Sequence, residues 1–477
     1  MTDSLHAFRD DILADHDATA LAALIARGDI HPREALAAAL ARLDQVEPRL
    51  NALALDNREN ALKEAEKNTF SGFFAGVPSL IKDNTDTAGH PTGHGAAAVH
   101  PRPARRTSAF ARQYLAQGFN LLGKSRMPEF GFNGSTEFDG ADPTRNPWHT
   151  AYSSGGSSGG TAALVAAGVV PLAHGNDGGG SIRIPAAACG LVGLKPSRGR
   201  LVDGEAARAL PINIVSEGVL TRSVRDTANF FHAAEQHYRN RKLPTVGRVQ
   251  GPGQARLRIG IMPDSITGTR SCPQTRAAVA DTATLLESLG HRVAEAQIPL
   301  PQRFVDDFLL YWAFLSFMVS RFGRHMLSPD FNAAELDNLS QGLARYFRAH
   351  LKSTPAMLWQ LRRTQRTYAQ AFRHYDAILS PVVAHTTPEL GYLSPAQPFE
   401  TLMERLVAYT SFTPANNAAG SPAISLPLAQ TDTGLPIGIM LSGRHGGERQ
   451  LLELAFELEA ARPFRRLGHT QTGQAQF

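Results

Sequence analysis

Gly155-Gly-Ser157-Ser158-Gly-Gly-Thr161 and, after a short alanine-rich run, Gly175-Asn-Asp177-Gly178-Gly179-Gly180-Ser181-Ile-Arg183-Ile-Pro185 are the most informative stretches of this chain. Two serine-bearing glycine clumps so close together call for backbone that turns tightly and approaches other groups with no Cβ in the way. Between them, 161–167 reads as a helix and 169–173, with Val169, Val170 and Leu172, as a strand; the second clump reads as a loop. Loop, helix, strand, loop is the local order of an α/β fold.

The same alternation extends outward. Residues 17–52 read as two helices, the first stopped by Gly28 and the second opened by Pro32. Gly76-Val-Pro-Ser-Leu-Ile-Lys82 reads as a short buried strand ending on a lysine. A helix over 108–117 closes at Gly118, and 119–122 is strand-like. Further on come a strand at 257–261, helices at 275–289, 305–322 and 334–349, strands at 377–381 and 423–427, and a terminal amphipathic helix at 450–461. The polar segment 235–253 reads as a surface loop. The pattern is α/β with a large, mostly buried sheet.

Composition bounds the function. The 477 residues are 43% hydrophobic and 19% charged, which excludes general disorder. Forty-eight basic against 43 acidic residues leave +5, too small and too diffuse an excess for a nucleic-acid partner. Cys189 and Cys272 cannot build a disulfide framework and fit a cytoplasmic setting. The first seventeen residues lack an apolar signal core, and no run approaches about 18 apolar residues, so no membrane association is expected.

Three short motifs compete for attention and fail on context. Gly118-Phe-Asn-Leu-Leu-Gly-Lys124-Ser125 fits the phosphate-loop pattern, but a helix precedes it and its interior is strand-like. G-x-S-x-G occurs at Ser157 and Ser158 without a convincing strand before it. His90 and His94 form no H-E-x-x-H, so no metal is expected and solvated loop histidines are the default. What remains is dispersed: Lys82, the two serine clumps, and the Gly178–Ser181 turn. A lysine buried at a strand end loses charge and becomes a base able to activate serine. Consecutive glycines let N–H groups converge on an oxyanion. The bland alternative is tight turns beside a surface lysine.

Taken together and in order, these segments resemble the amidase signature family. Gly193-Leu-Lys195-Pro-Ser-Arg-Gly199, Gly123-Lys-Ser-Arg-Met127-Pro-Glu-Phe130, Gly218-Val-Leu-Thr-Arg-Ser-Val-Arg-Asp226 and Ala419-Gly-Ser-Pro-Ala-Ile-Ser-Leu-Pro427 add to the likeness. The resemblance implies a three-layer α/β/α sandwich around a large mixed β-sheet. An N-terminal helical segment, 1–60, would pack on a single domain, 61–477, with a variable helical region at 301–371. It implies that Ser181 is the acylated nucleophile, Ser157 a bridging serine preceded by a cis peptide, and Lys82 the base. The N–H groups of Gly178, Gly179, Gly180 and Ser181 would hold the oxyanion, with Ser158, Asp177 and Arg183 in support and no cofactor. Gly178, Ser154 and Arg126 depart from the residues common in the family, and none is a member of the triad. Lys195, the rival base, is given a structural role. Met127, Phe130 and Phe132, with the aromatics of 301–371, are the expected apolar acyl pocket. The implied activity is hydrolysis of linear or cyclic small-molecule amides by a stand-alone amidase, of the kind that includes 6-aminohexanoate cyclic dimer hydrolases. The alternative is an amidotransferase A-type subunit that liberates ammonia from glutamine within a complex. A homodimer is compatible with either.

Overall fold

The computed structural model of the protein describes residues 4–468. A small sheet holds β1 (Leu53–Asp56), β2 (Pro78–Lys82) and β3 (Asn120–Ser125) in the order β1-β3-β2, and a short hairpin pairs β4 (Arg145–Asn146) with β5 (His149–Ser153). The main sheet is built from β6 (Leu172–Asp177), β7 (Val192–Lys195), β8 (Ser216–Thr221), β9 (Arg258–Ile261), β10 (Arg292–Glu295), β11 (Ala377–Pro381), β12 (Ala423–Gln430) and β13 (Pro436–Gly443). Its order is β10-β9-β11-β13-β12-β7-β8-β6. Pairing is parallel from β10 to β11 and antiparallel from β11 to β6, so the sheet is mixed. The small sheet is tied to its edge: Ser79 Oγ of β2 donates to the Leu172 carbonyl of β6 at 2.8 Å.

Both faces of the main sheet are covered. In β13, Ile437, Ile439 and Leu441 enter one core and Met440 the other; in β11 the split is Ala377 and Leu379 against Ile378. Side chains alternate across a strand, so these are opposite faces. Helices Val224–His237, Pro273–Ser288 and Glu448–Ala461 cover the first with Phe230, Val279, Leu286 and Leu451. Helix Arg183–Cys189 lies on the second, where Gly438 makes room: a Cβ there would come within 2.3 Å of the Ala187 Cβ. Helices Phe304–Met326, Asn338–Ala349, Thr354–Tyr368 and Phe399–Tyr409 extend that second layer through Tyr311, Leu343, Met357 and Leu402. The result is the expected three-layer sandwich around a mixed sheet.

The N-terminal helices are Ala18–Arg27 and Pro32–Leu50. Asp17 caps the first, and Gly28 ends it in the left-handed region (φ 79°). Their Leu21, Leu36 and Leu43 join the first core.

Some local expectations shift. The strand expected at 169–173 is Leu172–Asp177, so Gly175-Asn-Asp177 is strand and the glycine loop begins at Gly178. Gly175 serves packing rather than a turn, since a Cβ would meet Leu220 Cδ1 at 2.7 Å and Ser158 Oγ at 2.9 Å. The helix expected at 334–349 breaks at Asp337, whose carboxylate caps Ser340 N and starts Asn338–Ala349 afresh. Strands β8 and β13 and helices Thr354–Tyr368 and Phe399–Tyr409 were not legible as periodic segments. Residues 118–125 form the entry and body of β3, not a phosphate loop.

Candidate active site

Three chain segments deliver the site. β2 ends on Lys82, the loop ahead of helix Gly159–Ala166 carries Ser157 and Ser158, and the turn leaving β6 carries Gly178 to Ser181. The Gly156–Ser157 peptide bond is cis. Lys82 is fully buried, which rules out the surface-lysine alternative. Its Nζ lies 2.7 Å from Ser157 Oγ and donates to Asn176 Oδ1 at 2.8 Å. Burial pulls the Lys82 ammonium down to about 7, against the opposing pull of the Glu217 and Asp177 carboxylates. A lysine tuned to that range is able to accept a proton near neutral pH.

Behind Lys82 the tautomer of His174 is set by its partners. Nδ1 accepts from the Lys82 N–H at 3.1 Å, and Nε2 lies 2.9 Å from Glu217 Oε2, so the proton sits on Nε2. Burial holds this ring below its ordinary value, against the opposing pull of Glu217.

Ser157 and Ser181 line one cavity with Gly178, Gly179, Phe130, Phe132 and residues of helix Phe304–Met326. Gly131, in the left-handed region (φ 74°), passes so close that a Cβ would sit 2.9 Å from Ser157 Oγ. The N–H groups of Gly178, Gly179 and Ser181 have no hydrogen-bond acceptor within the described residues. The Gly180 N–H, expected among the oxyanion donors, is instead given to Asp177 Oδ1 at 2.7 Å. Asp177 curls back over the turn to take it, which leaves three candidate donors rather than four.

Asp177 and Arg183 lie behind the cavity wall, both fully buried. Arg183 grips the carboxylate at both oxygens, 2.9 Å each, and reaches the Thr413 carbonyl and Asn417 Oδ1. Burial alone would raise Asp177, but the guanidinium outweighs it and holds the carboxyl well below the usual range. Thr413 Oγ1 also donates to the Gly179 carbonyl at 2.5 Å, pinning the turn from outside. Ser158 joins the two serine loops: its N–H donates to the Ser181 carbonyl at 3.3 Å and its Oγ to the Asn176 carbonyl at 3.4 Å.

Met127, expected in the acyl pocket, is buried and lines a neighbouring cleft of about 890 Å³ with Asp83, Glu129 and Asp337, not the serine cavity. The chain turns after Pro128 through a short 3₁₀ segment, Glu129–Gly131, and Phe130 and Phe132 line the cavity that holds the serines. His94 sits half-buried in a turn, its ring stacked on Phe130 with centroids 5.9 Å apart. Lys195 is also buried and drawn down to about 7 by burial, so titration does not separate it from Lys82. Geometry does: its Nζ donates to the Pro196 carbonyl and reaches Ser216, away from the cavity. Sequence reasoning missed Asn176 and Thr413. Asn176 stands inside the quoted motif and was within reach; Thr413 carries no local signal. Among the described residues no group of three His, Cys, Asp or Glu is placed to hold a metal ion, and no helix is long and apolar enough to cross a membrane.

Comparisons in sequence and in fold lead to one family. The amidase family model matches residues 34–452. AmiC of Mycobacterium leprae, an amidase by name, is 49% identical over 465 residues, covering 97% of this chain and 98% of the relative. The 6-aminohexanoate-cyclic-dimer hydrolase of Paenarthrobacter ureafaciens is 33% identical over 483 residues, covering 94% and 95%. A solved structure of 6-aminohexanoate cyclic dimer hydrolase with substrate superposes at a TM-score of 0.85 with 30% identity, covering 94% of this chain and 98% of that one. Matched along nearly its whole length in sequence and in fold, the chain belongs to the amidase family, hydrolases of carbon–nitrogen bonds outside peptides.

Proposed function

We propose that this protein hydrolyses small-molecule amides through an acyl-enzyme, with Ser181 as nucleophile, Ser157 as relay and Lys82 as base. The observation that carries the reading is the Lys82 Nζ to Ser157 Oγ contact of 2.7 Å beside a second contact, to Asn176, that uses an N–H of the amine. With one N–H given to Asn176, the lone pair of neutral Lys82 is free to face Ser157. Lys82 takes the Ser157 proton as Ser157 takes that of Ser181, and Ser181 Oγ adds to the amide carbonyl. The negative oxygen that forms is met by the N–H groups of Gly178, Gly179 and Ser181; one such donor is worth about 3 kcal/mol of barrier. The carbon–nitrogen bond breaks as the leaving nitrogen receives the proton through Ser157. Water then adds to the ester by the same relay, and a carboxylic acid leaves.

A role in freeing ammonia from glutamine gains no support from the relatives above, which are named as amide hydrolases. A cytoplasmic enzyme with a small-molecule partner completes the reading. The test is covalent labelling: the wild-type chain reacts with a fluorophosphonate probe at Ser181, and Ser181→Ala loses both labelling and amide turnover. Undiminished labelling of the alanine variant would remove Ser181 from the role.

A further inference from the structure

Lys82 is held from behind at two points by the edge of the main sheet. His174 and Asn176 stand two apart on β6 and so project to the same face. Glu217 on β8 is the register partner of Asn176 and projects with them. Asn176 takes an N–H of the Lys82 amine, and His174 takes the main-chain N–H of the same residue through Nδ1 at 3.1 Å. The second contact joins two sheets, because β2 lies in the small sheet and β6 in the main one. The imidazole is fully buried and packs on the Phe110 ring with centroids 4.7 Å apart. The His174 carbonyl accepts from Thr161 Oγ1 at 2.8 Å. Thr161 in turn pairs at 2.6 Å with Ser125, the register partner of Lys82 in β3. Glu217 Oε2 closes off Nε2 at 2.9 Å, so both ring nitrogens are engaged. His174 is not among the described residues that line the serine cavity.

We propose that His174 and Glu217 form a positioning pair for the base: Glu217 keeps the imidazole proton on Nε2, and the bare Nδ1 then holds the end of β2 so that the Lys82 amine meets Ser157. The role rests on the reading of Lys82 as base and deepens it. One N–H cannot accept from another, so a ring with its proton on Nδ1 would lose the Lys82 contact and leave that buried N–H without an acceptor. Glu217 selects the tautomer that avoids this. The amine stands at the end of a four-carbon stem, and its 2.7 Å contact with Ser157 depends on where that stem begins. Neither residue of the pair touches substrate; each acts through Lys82. Glu217 also acts by charge: burial favours the neutral amine of Lys82, and the Glu217 and Asp177 carboxylates oppose it. The two effects are separable, since Glu217→Gln keeps an oxygen that accepts from Nε2 and removes only the charge.

The test uses two shape-matched pairs of variants, each read as kcat, KM and the rate of fluorophosphonate labelling at Ser181. His174→Asn keeps an acceptor close to the place of Nδ1, and His174→Leu has nearly the same size without one. His174→Leu should lower kcat and the labelling rate by about 10- to 100-fold with KM within about threefold, and His174→Asn should recover about tenfold of that loss. Glu217→Leu should lower the kcat plateau by about tenfold. Glu217→Gln should hold its plateau within about threefold and move only the rising limb of the pH profile, to lower pH. Should His174→Leu fail to fold, the Glu217 pair, which leaves the ring in place, decides. Equal plateaus and labelling rates within a pair would overturn the positioning role whatever the urea midpoints do, because a merely structural role moves the midpoint alone. A wild-type rate that stays flat across neutral pH, with chemistry limiting, would instead overturn Lys82 as base and the role with it.

Discussion

Lys82 is held between two opposed influences. Complete burial favours the neutral amine, and the Glu217 and Asp177 carboxylates favour the ammonium. Catalysis by the neutral form predicts a rate that rises through about pH 7 and levels above it, measured as kcat/KM against pH. Glu217→Gln removes one of the charges that favour the ammonium, so the rising limb should move to lower pH; an unmoved limb would separate Glu217 from the base. Asn176 acts on the same amine by geometry, holding one N–H and so aiming the lone pair. Asn176→Ala should lower kcat by about 10- to 100-fold with a smaller change in KM. A variant with unaltered kcat would show that Lys82 needs no such guide. At this scale the reading of Lys82, Ser157 and Ser181 as a group was available from the chain, because each sits in or beside a glycine-marked motif. The reading of Gly180 was not, because its N–H is claimed by Asp177 folding back over the turn.

Helix Phe304–Met326 shows what an element adds. Its apolar repeat made it legible as a helix, and the same repeat left open whether those aromatics were core or cavity. They are both: Tyr311 is wholly buried, while Trp312 lines the cavity that holds the serines. Tyr311 fastens the helix to the opposite wall, its hydroxyl donating to the Ile212 carbonyl at 2.6 Å and accepting the Ile212 N–H at 3.0 Å. Ile214 and Val215, two and three residues on, line the cavity. Tyr311→Phe should therefore destabilise the fold by about 1–2 kcal/mol in urea unfolding and raise KM more than it lowers kcat. Unchanged KM would mean that the wall keeps its place without this bond. Helices Thr354–Tyr368 and Phe399–Tyr409 escaped the sequence reading, and their buried positions, such as Met357, Leu361 and Leu402, acquire meaning only against the neighbouring helices.

At the scale of the whole molecule, Arg183 joins parts of the chain far apart in sequence: Asp177 at the end of β6, and Thr413, Asn416 and Asn417 just before β12. Removing one partner of a buried pair strands the other, so Arg183→Ala should lose about 3–5 kcal/mol of stability, read as a fall in the urea midpoint. A midpoint within about 1 kcal/mol of wild type would show that the network tolerates the loss. The chain alone determined the α/β class, the early helices with their Asp17, Gly28 and Pro32 signals, and the three groups proposed to carry the chemistry. These are local properties: periodicity, capping, and glycine where backbone must turn or approach closely. Only the tertiary structure decided that Lys82 is buried and tuned to about 7, that Met127 lines a neighbouring cleft while Phe130 and Phe132 line the serine cavity, and that no charged side chain lines that cavity among the described residues. Burial, pairing and cavity shape are relations between segments distant along the chain, and no stretch of residues contains them by itself.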